Sequence, residues 1–158
     1  MAGSAFKIAF ASSTPITITL SSLATSAARQ STAIDNTATL FLDALVYVAV
    51  TLSPGTPASA KSVNIYAYGS EDGTNFGDNV GSADAAITLR TPTNLRLIGV
   101  LATPDAGGVT YRTNPLAVAP AFGGVLPRKW GIVVENATAI SFTATTSASF
   151  TGLFISSL

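Results

Sequence analysis

The sequence TLFLDALVYVAVTL, residues 39–52, decides the fold of this chain. Taken two residues at a time, it has one face that is apolar throughout and one that is mixed, which is typical of a strand lying on a core. Phe41, Leu45 and Val48 also fit helical spacing, but β-branched side chains lose freedom in a helix, so the strand is favoured. Because so long a strand is unusual, we expect a bulge near Asp43. The apolar face comprises Leu40, Leu42, Ala44, Val46, Val48, Val50 and Leu52.

The same alternation recurs on both sides of this stretch. Residues 23–37 lack it and are predicted to be a connection, and residues 136–138 are predicted to be the turn of the best hairpin. Short strands with turn signals between them, and no long helix, indicate an all-β chain: an antiparallel β-sandwich with jelly-roll or Greek-key winding. The further strands are predicted at residues 6–10, 16–21, 63–68, 87–89, 95–101, 116–119, 130–135, 140–145 and 150–156.

The length, with no dividing linker and no internal repeat, predicts a single domain over residues 1–158. Residues 1–14 are predicted to be an N-terminal arm. The Pro- and Gly-rich residues 103–128 are predicted to be an extended loop region that is functional or reaches another protomer. The first residues do not resemble a secretory signal, and no apolar stretch is long enough to cross a bilayer, so we expect no membrane span.

Composition excludes several kinds of chemistry. The sequence contains no cysteine and no histidine, which excludes Ser-His-Asp and Cys-His nucleophilic systems and the usual zinc sites. Eight basic and eight acidic residues give zero net charge, and no basic cluster is present for nucleic acid. Charged residues are only 10% of the chain. That value fits either a Ser/Thr-coated domain in solvent or a surface that faces another protein, because interface cores are depleted in charge.

Four of the eight acidic residues lie in the turn-rich residues 69–84. Oxygen ligands in such a loop could bind calcium, but Thr74 and Phe76 would occupy EF-hand ligand positions counted from Asp72, and Asp and Asn are also ordinary turn residues. A carboxylate pair could hydrolyse glycosides, although adjacent residues on an extended chain point apart. We therefore assign no catalytic residue, no metal site and no cofactor. The side chains concerned are Glu71, Asp72, Asp78 and Asp84, with Asn75 and Asn79.

Exposed aromatic side chains could stack on sugar rings, as in carbohydrate-binding sandwiches, or could pack across strands. Trp130 is on the apolar face of its strand and is predicted to lie in the core, whereas Tyr66 and Tyr68 share a less apolar face and are predicted to be more open. The Asn-Ala-Thr sequence at residues 136–138 matches a glycosylation motif, but a hairpin turn explains it better. A glycan site of this class would comprise Tyr66, Tyr68, Asp72, Asn75 and Asp78.

Residues 126–139 read LPRKWGIVVENATA, and residues 65–79 read IYAYGSEDGTNFGDN. The first resembles a strand-turn segment near the end of small virion proteins of tailed bacteriophages, and the second resembles a strand and loop that often precede it. With LFLDALVYVAV at residues 40–50, the resemblance spans residues 37–144 and leaves the N-terminal arm uncovered. It implies a jelly-roll capsid decoration (cement) protein, or a related tail or fibre component.

The resemblance implies a mechanical role. Proteins of this kind commonly form trimers on a capsid lattice and bridge neighbouring shell subunits, and they have no catalytic residues to carry over. We therefore expect the major capsid protein as partner, a homotrimer, and location in the virion after assembly in the host cytoplasm, with neither nucleic acid nor membrane as a partner. A carbohydrate-binding module or a receptor-binding tail component is the alternative. The N-terminal arm and the extended loop region of residues 103–128 are predicted to make the contacts with the partner. The residues concerned are Phe6, Ile8, Phe10, Tyr111, Arg112 and Phe122.

Overall fold

The computed structural model of the chain describes residues 6–58, 60–104 and 107–157. These residues form twelve β-strands and one short 3-10 helix, arranged as two antiparallel sheets. The predicted all-β sandwich is confirmed, and its jelly-roll winding stays a prediction. The strands are β1 (Phe6–Phe10), β2 (Thr14–Pro15), β3 (Ala28–Gln30), β4 (Ile34–Asp35), β5 (Asp43–Thr51), β6 (Ser62–Ser70), β7 (Ala85–Ile87), β8 (Arg96–Ala102), β9 (Thr110–Arg112), β10 (Leu116–Ala117), β11 (Lys129–Ala137) and β12 (Ser147–Ser157).

The two sheets bring together strands that are far apart in the sequence. Sheet A has the order β1-β12-β5-β10, with β2 also paired to β12 and β9 to β5. Sheet B has the order β7-β3-β11-β6-β8, with β4 also paired to β11. β5 and β11 therefore lie inside their sheets, whereas β1 lies at the edge of sheet A.

The central stretch forms a strand as predicted, but β5 begins at Asp43 rather than at residue 39. The three valines of β5 have no exposed surface, so the apolar face predicted from the alternation is the inner face. Leu40 is 71% exposed and Leu42 is 45% exposed, so the prediction that both belong to this face was wrong. The reason is local, because Leu40 has a φ of 50°, which is left-handed and incompatible with an extended strand.

A carboxylate lies at the start of β5 and binds a neighbouring segment. Asp43 Oδ1 accepts hydrogen bonds from the backbone N–H groups of Val118 (3.1 Å) and Ala119 (2.7 Å). These bonds tie the first residue of the strand to the beginning of the 3-10 helix. The pairing of β5 with β12 then runs from Asp43 to Ala49 without a register shift. Leu42, just before the strand, donates its N–H to the C=O of Leu153, the residue opposite Asp43 (2.7 Å), and the bulge near Asp43 stays a prediction.

The core lies between the inner faces of β5 and β11. Trp130 on β11 packs edge-to-face against Phe150 on β12, with ring centroids 5.2 Å apart and an interplanar angle of 85°. Trp130 is fully buried, so its predicted place in the core is confirmed. Ile132 and Val134 belong, with the valines of β5, to the same buried cluster.

The predictions of the other strands differ in accuracy. Those predicted at residues 6–10, 63–68, 95–101 and 150–156 are present as β1, β6, β8 and β12, and the short ones near residues 87 and 116 are shifted or shortened. Ile16 and Leu20 are buried as their alternation implies, but β2 ends at Pro15, so the strand predicted at residues 16–21 was wrong.

Residues 23–37, predicted to be a connection, contain β3 and β4, and both pair with β11. This stretch has no apolar alternation because one of its strand residues is a buried amide. Gln30 is 3% exposed, donates a hydrogen bond to the C=O of Gly81 (3.0 Å) and accepts one from the N–H of the same residue (3.0 Å). A satisfied polar side chain can occupy a strand interior without leaving an apolar pattern in the sequence.

The predicted hairpin after β11 does not form, although all its residues are described. β11 continues to Ala137, and residues 140–145 contain no strand, only a bridge between Phe142 and Leu52. Asn136, predicted to be a turn residue, is fully buried in β11. Its amide donates hydrogen bonds to the C=O groups of Leu23 (3.0 Å) and Ile140 (2.8 Å) and leaves no room for a glycan.

Residues 103–128, predicted to be an extended loop region, contain two short strands and a 3-10 helix within their described part. β9 and β10 pair with β5 on the side away from β12, and a 3-10 helix (Ala119–Phe122) follows. The helix ends at Gly123, whose φ of 81° is left-handed and favours glycine. Pro120 lies within this helix, whereas Pro115, Gly123 and Gly124 lie in the connections between elements.

Replacing Asn136 with alanine should destabilise the fold strongly. The substitution leaves the buried N–H of Thr138 without its acceptor. It also removes one of the two hydrogen bonds that the C=O groups of Leu23 and Ile140 each accept, the others coming from the N–H of Phe142 and the hydroxyl of Thr138. We expect a loss of about 2–4 kcal/mol in the free energy of unfolding. Urea denaturation measures it. Asn114→Ala is the matched control, because Asn114 is exposed, and it should change the value by less than about 0.5 kcal/mol. Equal effects of the two substitutions would contradict the role of Asn136.

Candidate partner-binding surface

The strands at the edge of sheet A project apolar side chains away from the core. β1 pairs with β12 so that Phe6 lies opposite Ser157, Ile8 opposite Ile155 and Phe10 opposite Leu153. Directly opposite residues project from the same face of a sheet. Phe150 is an even-numbered residue of β12 and faces the core. The odd-numbered residues of β12, and the β1 residues opposite them, therefore face outward. We call Phe6, Ile8, Phe10, Leu153 and Ile155 the outer patch.

The outer patch is exposed to a degree unusual for such side chains. Phe6 is 68% exposed, Ile8 63%, Phe10 64% and Ile155 58%. Single exposed apolar residues are ordinary on protein surfaces, but contiguous ones on two paired strands are not. Large exposed apolar patches are typical of interaction surfaces, which makes the outer patch the candidate site of this chain.

The surface next to the outer patch carries little charge. Across β12 and β5 the outward positions continue with Ser149 and Thr151, and then with the half-buried Leu45 and Tyr47. The charged residue in this row is Asp43, opposite Leu153, and its carboxylate accepts hydrogen bonds from backbone N–H groups at the 3-10 helix. Lys7 has the opposite parity from Ile8 and does not project from this face. The low charge content fitted either a Ser/Thr-coated domain in solvent or a surface that faces another protein. The outer face of sheet A fits the second possibility better.

The structure brings only half of the predicted contact residues together. Phe6, Ile8 and Phe10 share the outer patch, whereas Tyr111 is opposite Val50 on β9 and packs against the core. Arg112 is exposed on the outward side of β9. Phe122 lies elsewhere, in the 3-10 helix, and lines a cavity of about 580 Å³ together with Arg96, Val125 and Pro127 among others.

Sequence reasoning missed Leu153 and Ile155. Their signal was the run Leu-Phe-Ile at residues 153–155, which is apolar on both faces of one strand. In an antiparallel sheet one face usually meets solvent, so a strand that is apolar on both faces suggests that something covers the second one. Only the register with β1 shows which residues share that face.

The glycan site predicted as the alternative is divided by the fold. Tyr68 is 2% exposed, packs edge-to-face against Phe76 with centroids 5.7 Å apart, and donates a hydrogen bond to the C=O of Ser31 (2.6 Å). Burial raises the pKa of Tyr68 to about 12. The prediction that Tyr68 is open was therefore wrong. Tyr66 is half-buried and donates a hydrogen bond to Glu135 (3.1 Å); burial, with the charge of Glu135, raises its pKa.

Two of the four acidic side chains of residues 69–84, those of Asp72 and Asp78, accept hydrogen bonds from their own loop and its neighbours. Asp72 Oδ1 accepts hydrogen bonds from the N–H groups of Asn75 and Thr74, both 2.8 Å, and Oδ2 accepts one from the side chain of Asn75 (2.6 Å). Asp78 accepts hydrogen bonds from the hydroxyl of Thr93 (2.6 Å) and the N–H of Asn94 (2.8 Å). The oxygens that a cation or a sugar would need thus have protein donors already.

Asp84 ties two further segments together. It accepts the N–H of Thr19 (3.0 Å) and the Nε–H of Arg29 (2.5 Å), in an ion pair whose side chains are only 15% and 24% exposed. Among the described residues, no three His, Cys, Asp or Glu side chains are placed to hold a metal ion. These carboxylates fasten loops to strands, which is a structural role.

Comparison with protein-family models, with curated proteins and with solved structures finds no match to this chain. Within the part of the chain that the structure describes, no helix has the length and apolarity to cross a membrane.

Acid should weaken the fold through Asp72, Asp78 and Asp84. Hydrogen bonds from Asn75 and Thr74 lower the pKa of Asp72, and one from Thr93 lowers that of Asp78. Partial burial opposes the effect at Asp84, but the bonds from Arg29 and Thr19 outweigh it and lower the pKa. A carboxyl with a lowered folded pKa contributes stability above its unfolded pKa of about 3.9, and that stability is lost as the pH falls through the folded pKa.

We therefore expect the melting temperature to fall as the pH is lowered from about 5 to about 2, measured by circular dichroism. Asp84→Asn should lower the melting temperature at neutral pH and flatten this dependence, because it removes one of the titrating groups. A melting temperature that is constant over this range would contradict the stabilising role of the carboxylates.

Proposed function

We propose that this chain is a structural virion protein that decorates a bacteriophage capsid and binds the shell through its outer patch. The observation that carries the proposal is the contiguous set of apolar side chains on β1 and β12, of which four are 58–68% exposed. The resemblance of residues 37–144 to small virion proteins supplies the biological setting. The major capsid protein is the proposed partner, the virion is the proposed location, and a homotrimer is the assembly that the resemblance implies.

The energy available from the patch suits a protein that binds in many copies. Burying an apolar side chain that starts about 60% exposed contributes roughly 1–2 kcal/mol, so four contribute roughly 4–8 kcal/mol. Association costs an estimated 4–15 kcal/mol in lost translational and rotational freedom. A single copy would therefore bind weakly. Linked copies on a repeating shell would bind tightly, because each further contact is intramolecular.

The carbohydrate-binding alternative depends on fewer residues than expected. Tyr68 is in the interior, and Asp72 and Asn75 bind each other. The remaining aromatic of the predicted set, Tyr66, is half-buried and bonded to Glu135. A receptor-binding tail or fibre component stays a second candidate, since its contact could use the same outer patch.

Ile155→Lys should abolish or strongly reduce binding to the shell. The substitution places a charge in the middle of the outer patch, where desolvating it on contact is costly, and it leaves the backbone of β12 unchanged. The measurement is co-sedimentation of the purified chain with capsids assembled from the major capsid protein of the same genome. We expect at least a tenfold weaker association, or about 1.4 kcal/mol.

Val100→Lys is the matched control for this experiment. Val100 is 57% exposed, close to the 58% of Ile155, and it lies opposite Asn64 on the outward side of sheet B. It should leave co-sedimentation unchanged. Failure of the unmodified chain to bind capsids would refute the decoration role, and equal weakening by both substitutions would show that the outer patch is not the contact.

A further inference from the structure

The backbone of β1 has a free side. β1 is the terminal strand of sheet A and pairs only with β12 within the described residues. The residue that follows it, Ala11, donates its N–H to the C=O of Gly152 (2.8 Å). In an antiparallel ladder, hydrogen-bonded pairs alternate with non-bonded pairs. Lys7 and Ala9 therefore bond to β12, and the N–H and C=O groups of Phe6, Ile8 and Phe10 point away from it.

The other sheet edges offer less free backbone. β8 contacts β9 and β10, so sheet A and sheet B adjoin on that side of the sandwich. β7 is an edge strand of sheet B but has only three residues. β1 has five residues and contains no proline, so it lacks one of the common devices that prevent edge-to-edge pairing.

The sequence of β1, Phe-Lys-Ile-Ala-Phe, is self-complementary in one antiparallel register. With Ile8 opposite Ile8 of a second copy, Phe6 lies opposite Phe10 and Lys7 lies opposite Ala9. The single charged side chain of the strand then meets its smallest one. A shift of two residues in one direction would place Lys7 opposite Lys7, and a shift in the other direction would leave Phe6 unpaired.

We propose that two copies of this chain pair through β1 in this register, about a twofold axis at Ile8. The three residues with outward backbone groups would form three hydrogen-bonded pairs, or about six hydrogen bonds. Sheet A of one copy would continue into sheet A of the other. The two outer patches would then lie on the same face and join across the axis into one apolar surface.

The pairing concerns contact between copies of the chain and does not depend on the proposed role in a capsid. A strand of five residues makes a contact below the size of a standard stable interface, so we expect association that depends on concentration. Sedimentation equilibrium from roughly 1 µM to 1 mM should show an even multiple of the 16.0 kDa chain, either a dimer or a twofold-linked pair of trimers. A monomer or a trimer throughout the range would overturn the proposal.

Two substitutions at Ile8 separate backbone pairing from side-chain contact. Ile8→Pro and Ile8→Ala both remove the isoleucine side chain from the outer patch. Only Ile8→Pro also removes the outward N–H, and proline is tolerated on an edge strand because that N–H has no partner in the chain itself. We expect Ile8→Pro to halve the mass at the highest concentration and Ile8→Ala to retain the association. Equal loss in both variants would overturn edge pairing.

Amide hydrogen exchange of the unmodified chain tests the same contact without any substitution. The amides of Lys7 and Ala9 should be protected at every concentration, because they bond to β12. Those of Phe6, Ile8 and Phe10 should gain at least tenfold protection between the lowest and the highest concentration. Unchanged exchange at these three amides would overturn the pairing, whereas the effect of Ile155→Lys on capsid binding would be unaffected by that result.

Discussion

The packing of β5 against β11 is the contact on which the rest of the structure depends. The valines of β5 have no exposed surface, and they share one buried cluster with Trp130, Ile132 and Val134. Burial of each such side chain contributes about 1.5–3 kcal/mol, so this layer supplies much of the free energy that offsets the ordering of the chain. Because the inner faces hold the core, the outer face of sheet A does not need apolar side chains for folding. Their presence on β1 and β12 is therefore the observation on which the proposed contact with a partner rests.

Apolar alternation predicted the strands that build this core, and it failed where polar side chains are buried. β5, β6, β11 and β12 were predicted close to their observed positions because one face of each is apolar. β3 was missed because Gln30 fills an interior position with an amide that bonds to a residue 51 positions away. The prediction of a hairpin after β11 was wrong because the polar Asn136 is also buried. Its amide bonds to Leu23, 113 positions away. A pattern within one segment does not contain such distant partners.

The candidate surface was predictable in part. Phe6, Ile8 and Phe10 were identified from their alternation, but their neighbours on the surface depend on the pairing of β1 with β12, which joins segments near opposite ends of the described chain. The exposure of Tyr68 was wrongly predicted because it is decided by Phe76, which lies in a loop, and by Ser31, which follows β3. The sequence was enough to assign side chains of one strand to the same face of a sheet. It was not enough to predict which distant residues pack over that face.

Trp130 is the single tryptophan of the chain, and its place between the layers has a practical consequence. Its indole belongs to sheet B and touches the ring of Phe150, which belongs to sheet A. The intrinsic fluorescence of the unlabelled protein therefore reports on the separation of the two layers. Binding of a partner to the outer face of sheet A should leave the surroundings of the indole unchanged. A red shift of the tryptophan emission would therefore signal separation of the two sheets. The same fluorescence measurement thus distinguishes unfolding from assembly.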